Sequence, residues 1–319
     1  MSAMAGAKKR LLTGLQSSGR LHIGNYFGTL VRFRDMYTEY DSFLMVADYH
    51  SLTSVRNGEE MRMNTFNAVK DYVAIGIDPA KCVMFKQSDV PQHTEMTWIF
   101  DCMVTVPFLM LGHAYKDKVS KGIEPSAGLF TYPMLMASDI LLYDTDVVPV
   151  GEDQRQHIEY AREAAAKFNI SYGQTFKEPK ELIQKEVAVV PGTDGQKMAK
   201  SRPQYSIPIF AERDEIVKQV MSVVTDSSGE LPTNVYALHK LYKTEAELSP
   251  VYESNRGNYK ALKEALIEDM DSLAKPMREK RKSLTDEDVK RILAEGGAKA
   301  REQAEAKMKV VREKVGVTL

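Results

Sequence analysis

Three short stretches of this 319-residue chain carry side chains that could do chemistry. In the first, TGLQSSGRLHIGN (13–25), Gly14, Gly19 and Gly24 are separated mainly by small and polar residues. Such a loop between a strand and a helix can bring backbone N–H groups to a phosphate, and His22 at the helix start could donate to a phosphate oxygen in a transition state. The spacing matches neither G-x-G-x-x-G nor G-x-x-x-x-G-K-[ST], which disfavours hydride transfer and P-loop hydrolysis. By itself, a helix-start histidine beside a glycine turn is an equally good interpretation.

The second stretch is PGTDGQKMAKS (191–201), a glycine-rich segment with two lysines three residues apart. Lys197 and Lys200, followed by Ser201, could close on a polyphosphate and neutralise a departing pyrophosphate. A lone K-x-x-K-S pattern is also typical of an exposed basic linker, and without other motifs the linker is the better interpretation.

The third stretch places a carboxylate in an apolar helix. In GLFTYPMLMASDILLY, Pro133 suits the first turn of a helix, and the only charged residue after it is Asp139. A buried carboxylate without a partner is costly, so Asp139 requires a donor. Tyr132, Met136 and Asp139 stand at i, i+4 and i+7, which puts them on one helix face and suits a flat aromatic ligand with one N–H. Pairing of Asp139 with a protein donor such as Arg155, or with a backbone cap, is the alternative.

A short acidic motif follows in VPVGEDQRQH, where Gly151, Glu152 and Asp153 come after a predicted strand and at a predicted helix start. Acidic residues in a first helical turn are favourable partners of the helix dipole. The functional alternative is recognition of a ribose by a carboxylate, with Gln154 facing the substrate from the same turn. The residues alone leave both interpretations open.

These stretches are connected by alternating short apolar runs and amphipathic segments. Strands are predicted at 10–15, 42–50, 81–88 and 146–150, and helices are predicted to begin near Ile23, Glu59, Gln92, Thr131 and Glu152. This alternation predicts an α/β fold with a Rossmann-like parallel sheet, whose ligands bind at the carboxyl ends of the strands. After about residue 205 the patterns are almost all helical, so we expect a sheet domain over 1–204 and a helical domain over 205–319, whose last helix could pack back on the first domain.

The composition is that of an ordinary globular protein. Lys and Arg number 43 against 44 Asp and Glu, so bulk charge does not determine function, although residues 251–319 have a slight basic excess that permits nucleic-acid binding. Apolar runs are too short to span a bilayer, and we expect a cytoplasmic protein without membrane contact. Cys82 and Cys102 do not form a C-x-x-C motif, which disfavours a disulfide framework and a zinc site.

Together and in this order, HIGN after the first strand, YPMLMASDILLYDTDVVPVGEDQRQHIEYAR in the middle and KMAKS after the last strand resemble a bacterial-type tryptophanyl-tRNA synthetase of class I. The resemblance runs from about residue 10 to the C-terminus and is weakest after 205. It implies activation of L-tryptophan by ATP with Mg²⁺, then transfer to tRNA(Trp), without zinc or an iron–sulfur cluster. It also implies a homodimer, and an apolar surface within 90–145 is compatible with one, although core packing explains the same apolar pattern equally well.

The resemblance assigns roles position by position. The residues implied to bind ATP are Gln16, Ser17, Ser18, Gly24, Asn25, Gly151, Glu152, Asp153, Ala188, Lys197, Met198, Ala199, Lys200 and Ser201. The implied catalytic residues are His22, Lys118, Lys197 and Lys200. Asp139 is expected to accept the indole N–H, while Tyr132 and Gln154 would contact the ammonium group and Met136 would complete the tryptophan site.

Two positions depart from the family pattern, which commonly has proline in place of Ser17 and serine in place of Ala199. The SRPQYSI continuation also differs, so we expect altered loop closure with activity retained. Three alternatives remain at this point: a tyrosyl-tRNA synthetase, a synthetase-like binding or regulatory protein that does not charge tRNA, and a small-molecule nucleotidyltransferase of the same superfamily.

Overall fold

The computed structural model describes residues 8–15, 19–122, 124–150, 155–183, 190–199, 202–225 and 231–318. Within these ranges the strands are β1 Arg10–Leu15, β2 Asp41–Val46, β3 Val83–Lys86, β4 Val147–Val150 and β5 Lys180–Ile183. They form one sheet in the order β3-β2-β1-β4-β5, and every neighbouring pair is parallel. The strand order reverses between β1 and β4, which is where open α/β sheets bind their ligands. The predicted α/β parallel-sheet class is confirmed.

Helices connect these strands and follow them. In the described part they are α1 Ile23–Asn25, α2 Val31–Met36, α3 Asp48–Ser51, α4 Gly58–Ala74, α5 Gln92–Asp101, α6 Val106–Leu109, α7 His113–Ser120, α8 Ala127–Leu141, α9 Arg155–Tyr172, α10 Arg213–Met221, α11 Thr233–His239, α12 Glu245–Ser254, α13 Tyr259–Ser283 and α14 Asp286–Val315. A π-helical turn over Tyr26–Leu30 joins α1 to α2, and short 3₁₀ turns lie at Tyr37–Glu39, Gln87–Asp89 and Pro203–Tyr205. The helical character expected after residue 205 is present in α10 to α14.

Several element bounds differ from the sequence prediction. The predicted strand 42–50 ends at Val46, because the chain turns into the short helix α3. Strand β5 was not predicted, since its sequence KELI is short and half charged. Helix α8 begins at Ala127, where Ser126 Oγ accepts from Leu129 N at 3.3 Å, so Pro133 lies inside the helix and not in its first turn. The serine cap therefore determines the helix start more strongly than the proline does.

Two apolar clusters cover opposite faces of the sheet, because neighbouring residues of a strand point to opposite sides. Leu11 belongs to one cluster and Leu12 to the other. The long helix α14 contributes to both: Val289, Ile292 and Leu293 to the first, and Ala300, Ala304, Met308 and Val311 to the second. Helix α14 therefore crosses from one face of the sheet to the other beside the edge strand β3.

The crossing depends on a glycine. A Cβ added at Gly296 would lie 1.8 Å from the carbonyl oxygen of Met84 in β3, far inside van der Waals contact. The missing side chain lets the helix backbone lie directly against the strand. An edge strand is prone to pair with other chains unless it is covered, and here α14 covers it. No helix among the described residues is both long and apolar enough to traverse a bilayer.

Candidate active site at the strand-order reversal

A cavity of about 590 Å³ opens at the carboxyl ends of the central strands. Its walls come from β1, β4 and the helices α3, α8 and α9, and they include Gly14, Ala47, His50, Tyr132, Met136, Asp139, Pro149 and His157. Ligand sites of this size are typically concave and mostly apolar, with a few polar groups that orient the ligand. Position and lining therefore agree with a site for a small aromatic molecule.

Among the described residues that line this cavity, Asp139 is the one acidic side chain, and only 1% of it is exposed. Nε2 of His50 lies 2.8 Å from its Oδ2, and Nε2 of Gln87 donates to its Oδ1 at 2.8 Å. Nδ1 of His93 lies 2.6 Å from the same Oδ1, while the Nε2 of that ring is 2.8 Å from the hydroxyl of Tyr143. The donor that sequence reasoning required is thus a set of three side chains from the ends of β2 and β3 and from α5.

This environment keeps Asp139 ionised. Burial alone raises the pKa of the carboxyl, but the charge of His93 and the hydrogen bonds of His50 and His93 outweigh burial and hold the pKa at about 2. A carboxylate offers about four acceptor positions. The three protein contacts therefore leave room for one further donor at the cavity wall.

Tyr132 and Met136 line the same cavity as Asp139, so the predicted shared helix face is confirmed as geometry. The hydroxyl of Tyr132 lies 2.9 Å from Nε2 of His157, and its ring meets the His50 ring edge to face at 6.3 Å. Burial raises the pKa of Tyr132, so the phenol is neutral near neutral pH. It can both donate and accept a hydrogen bond at the cavity.

Five residues of this network are not among the predicted site residues: His50, Gln87, His93, Tyr143 and His157. His50 follows β2 in the short helix α3, and Gln87 comes directly after β3. Polar residues at the carboxyl ends of parallel strands were therefore a usable signal. His157 closes the motif VGEDQRQH, in which the acidic residues before it carry the stronger sequence signal.

His22 is buried and caps helix α1. Its Nδ1 accepts from Asn25 N at 3.2 Å, and its own backbone N–H donates to Oδ1 of Asn25 at 3.2 Å, which forms a reciprocal capping box. A Cβ at Gly24 would lie 2.9 Å from this Nδ1 and 3.4 Å from Cβ of Met198. The glycine thus lets the first stretch, TGLQSSGRLHIGN, pack against Met198 of the second stretch, PGTDGQKMAKS, which is the lysine loop.

Backbone pairing joins the same two regions. Ile23 N donates to Ile207 O at 3.0 Å, and Ile209 N donates to Leu21 O at 3.0 Å. The segment after the lysine loop is therefore an antiparallel partner of the segment that carries His22. Two motifs almost 180 residues apart form one local structure.

The lysine loop is described over 190–199. Met198 is buried and its N–H donates to Val190 O at 2.9 Å, whereas Lys197 is exposed. Ala199 has no hydroxyl, and its carbonyl accepts from Oγ of Ser206 at 3.0 Å. The lysine is therefore displayed on a loop whose next residue is anchored in the core.

Several predicted positions lie outside the described residues and stay predictions: Gln16, Ser17, Ser18, Gly151, Glu152, Asp153, Gln154, Ala188, Lys200 and Ser201. Lys118 belongs to α7, but its side chain also lies outside the description. Among the side chains that are described, no group of three or more His, Cys, Asp or Glu residues is arranged to hold a metal ion.

Comparison with known proteins shows the family of this chain. The profile of the family described as tRNA synthetases class I (W and Y) matches residues 4–308. A tryptophan–tRNA ligase of Fusobacterium nucleatum is 47% identical over 320 residues, covering 97% of this chain and 98% of that protein. A tryptophanyl-tRNA synthetase from Campylobacter jejuni, crystallised with ADP and tryptophan, is 41% identical with a TM-score of 0.90, covering 96% of this chain and 99% of that one.

A tyrosyl-tRNA synthetase from Aeropyrum pernix superposes with a TM-score of 0.67 at 19% identity over 91% of this chain and 90% of its own, which shows a common fold alone. The tryptophan enzymes are far closer in sequence over nearly the full length of both chains. On these grounds the chain belongs to the bacterial-type tryptophanyl-tRNA synthetases, within the class I aminoacyl-tRNA synthetases.

Proposed function

We propose that the cavity beside Asp139 binds L-tryptophan and that the chain activates it with ATP and then charges tRNA(Trp). The observation that carries the residue assignment is the ionised Asp139 carboxylate, held by three protein contacts, at the wall of a mostly apolar cavity. Its remaining acceptor position suits the indole N–H. The complex of the C. jejuni relative with ADP and tryptophan supports nucleotide and tryptophan sites in this chain.

In the first step, a carboxylate oxygen of tryptophan attacks the α-phosphorus of ATP. A bond forms between them, the bond from that phosphorus to the bridging oxygen breaks, and pyrophosphate leaves with the electron pair. In the second step, a terminal ribose hydroxyl of the tRNA attacks the tryptophanyl carbonyl carbon. The bond from that carbon to the phosphate oxygen breaks, AMP leaves with the electron pair, and the hydroxyl proton is released. Neither step needs a covalent enzyme intermediate, so catalysis consists of positioning and charge stabilisation.

Residue roles are proposed from the geometry for the described side chains and from the family resemblance for the others. His22 at the α1 N-terminus and the exposed Lys197 are proposed to stabilise the phosphates, with Lys118 and Lys200 as further cations, and Mg²⁺ is proposed to arrive bound to ATP. The remaining ATP contacts are proposed for Gln16–Ser18 and Gly151–Asp153. Tyr132 and Gln154 would contact the ammonium group of tryptophan.

Discrimination between amino acids follows from the same carboxylate. A site built to hydrogen-bond a ligand rejects an analogue that leaves its buried polar group unpaired more strongly than an apolar slot rejects a change of size. Phenylalanine would leave that acceptor position of Asp139 empty and should be refused. Tyrosine is the closer competitor because it carries a donor of its own.

We also propose the larger organisation: a catalytic domain over 1–204, a tRNA-binding helical domain over 205–319, and a homodimer in the cytoplasm. Several large apolar side chains within 90–145 are exposed, among them Trp98, Val106, Met110, Leu111 and Val119. Contiguous exposed apolar surface favours a protein interface. Equilibrium sedimentation of the wild type and of Trp98→Glu tests the dimer: a monomeric wild type would contradict it.

The deciding experiment is ATP/pyrophosphate exchange measured with tryptophan, tyrosine and phenylalanine in turn, followed by charging of tRNA(Trp). We expect exchange with tryptophan only. Exchange with tyrosine and not tryptophan would overturn the substrate assignment. Absence of exchange with any amino acid, in a folded protein, would favour a binding protein.

A further inference from the structure

The lysine loop is held by a residue to which neither the family resemblance nor the proposed function assigns a role. Arg202 comes shortly after the loop, in the SRPQYSI segment that departs from the family pattern. Its Nη1 donates to Oδ2 of Asp194 at 2.6 Å and to Oε1 of Gln196 at 2.9 Å, and its Nη2 donates to the carbonyl oxygen of Lys197 at 2.7 Å. One guanidinium thus contacts three of the loop's residues.

These contacts add to the loop's own backbone bonds. Asp194 Oδ1 accepts from Gln196 N at 3.1 Å, and Gly192 N donates to Gln196 O at 2.6 Å. The tip of the loop is therefore a tight turn. The carboxylate of Asp194 accepts hydrogen bonds both from the backbone N–H of Gln196 and from the Arg202 guanidinium. The Arg202 and Asp194 side chains are 29% and 18% exposed, so solvent screens the pair less than it screens an open surface pair.

The segment that carries Arg202 is itself anchored. Arg202 N donates to Ala199 O at 3.0 Å, and Tyr205 O accepts from Thr193 N at 3.0 Å. The Arg202 guanidinium also lies 5.8 Å from the centre of the Tyr205 ring. The segment from Arg202 to Tyr205 is therefore hydrogen-bonded to both sides of the loop, and these bonds fix the backbone that carries the Arg202 side chain.

The consequence concerns Lys197. Its carbonyl is held by the guanidinium while its ammonium is exposed, so the direction in which the lysine projects depends on Arg202. A forked, planar donor can hold a carboxylate and a carbonyl at the same time, which a lysine ammonium does less well. Ala199 lacks the hydroxyl that the family commonly has in this loop, and Arg202 supplies an alternative source of order.

We propose that Arg202 is a positioning residue for the activation step: it fixes the backbone of the lysine loop so that Lys197 is presented to the leaving pyrophosphate. The proposal rests on the proposed function for the identity of the step. In this role Arg202 differs from the arginine of an ordinary surface ion pair. Such a pair contributes little to the free energy of unfolding, and its loss would leave turnover unchanged.

The test compares Arg202→Gln and Arg202→Lys with Arg213→Gln in the full-length protein. Arg213 is a matched control, because it also pairs with carboxylates, Glu268 and Asp271, but it lies on α10 and contacts α13.

The first measurement is ATP/pyrophosphate exchange. We expect kcat to fall about 10- to 100-fold in Arg202→Gln, since small misplacements cost this much, while the KM for tryptophan stays within about two-fold. Arg202→Lys should recover only part of kcat.

The second measurement does not depend on catalysis. Amide hydrogen exchange is followed for Gln196 and Met198 without ligand; we expect both amides to exchange faster in Arg202→Gln and to be unchanged in Arg213→Gln. Unchanged hydrogen-exchange rates at Gln196 and Met198 in Arg202→Gln would overturn the proposal. Faster rates together with an unaltered kcat would overturn it as well. If the wild type shows no ATP/pyrophosphate exchange, the proposed function fails. The contacts of Arg202 with the lysine loop are then judged separately: unchanged amide hydrogen exchange in Arg202→Gln would show that they do not order the loop.

Discussion

The carboxylate of Asp139 on α8 lies 2.8 Å from Nε2 of His50, which belongs to the short helix after β2. Eighty-nine residues separate the two, and the contact exists because the carboxyl ends of neighbouring parallel strands open toward the same helix face.

The first prediction concerns this pair. Asp139→Ala should raise the KM for tryptophan about 10- to 100-fold, because a hydrogen bond to a charged group is lost, while the KM for ATP changes little. Steady-state exchange kinetics measure both constants.

The same substitution leaves His50 and Gln87 without their acceptor, so melting of Asp139→Ala must be measured beside the kinetics. A variant that stays folded and raises both Michaelis constants equally would argue against direct contact between Asp139 and the indole. Asp139→Asn is the matched variant, since it keeps the size of the side chain and removes the charge.

A second prediction concerns pH. The pKa of Asp139 is lowered to about 2 from an ordinary 3.8. A carboxyl with a lowered pKa stabilises the fold above its unfolded pKa and loses that contribution as the pH falls through the folded pKa. We expect a contribution of about 2 kcal/mol above pH 5, of which about half remains at pH 3.

Urea unfolding at pH 6, 4 and 3 tests this prediction in the wild type and in Asp139→Asn. The stability difference between the two proteins should shrink from pH 6 to pH 3. A difference independent of pH would contradict the ionised state, and a wild type that gains on the variant toward pH 3 would contradict the sign.

A third prediction concerns the close packing of Gly24 against His22 and against Met198 of the lysine loop. In Gly24→Ala, the new Cβ would lie 2.9 Å from Nδ1 of His22, which is too close, and 3.4 Å from Cβ of Met198, which is ordinary contact. We expect the His22 ring to shift and kcat to fall at least about 10-fold, by the sensitivity of positioned groups to small displacements. Gly28→Ala is the control, because a Cβ there meets nothing within 4 Å. Equal kcat values for the two variants would show that the close packing is not needed for turnover.

A fourth prediction concerns stability alone. Gly296→Ala places a Cβ 1.8 Å from the Met84 carbonyl oxygen, so helix and strand must separate. We expect a loss of about 1–3 kcal/mol or more in the free energy of unfolding. Gly297→Ala is the neighbouring control, since its nearest contact would be 3.4 Å from Cβ of Asp89. Thermal melting should separate the two variants, and similar melting temperatures would refute the close approach.

How much the sequence predicts differs from feature to feature. The short leucine-rich run RLLTGL gives β1 with its correct bounds, because the centre of the strand is buried in the sheet. The edge strand β5 carries Lys180 and Glu181 and gives no such signal. Local composition thus predicts buried elements better than edge ones.

The site shows the same division. The face shared by Tyr132, Met136 and Asp139 follows from helix periodicity alone, and the structure confirms it. The contacts of Asp139 with His50 and His93 join residues distant in the chain, and only the strand order brings them together. Spacing within one element is readable from sequence, whereas pairing between elements depends on topology.

The passage of α14 along β3 has a consequence for biosynthesis. The backbone of β3 is complete once residue 86 has been made, but the helix that covers it begins only at Asp286. A nascent chain therefore carries an uncovered strand edge during some two hundred further residues of translation, the condition under which strands pair with the wrong chain. The covering of the β3 edge is therefore a late event, which has to wait until Gly296 has been made.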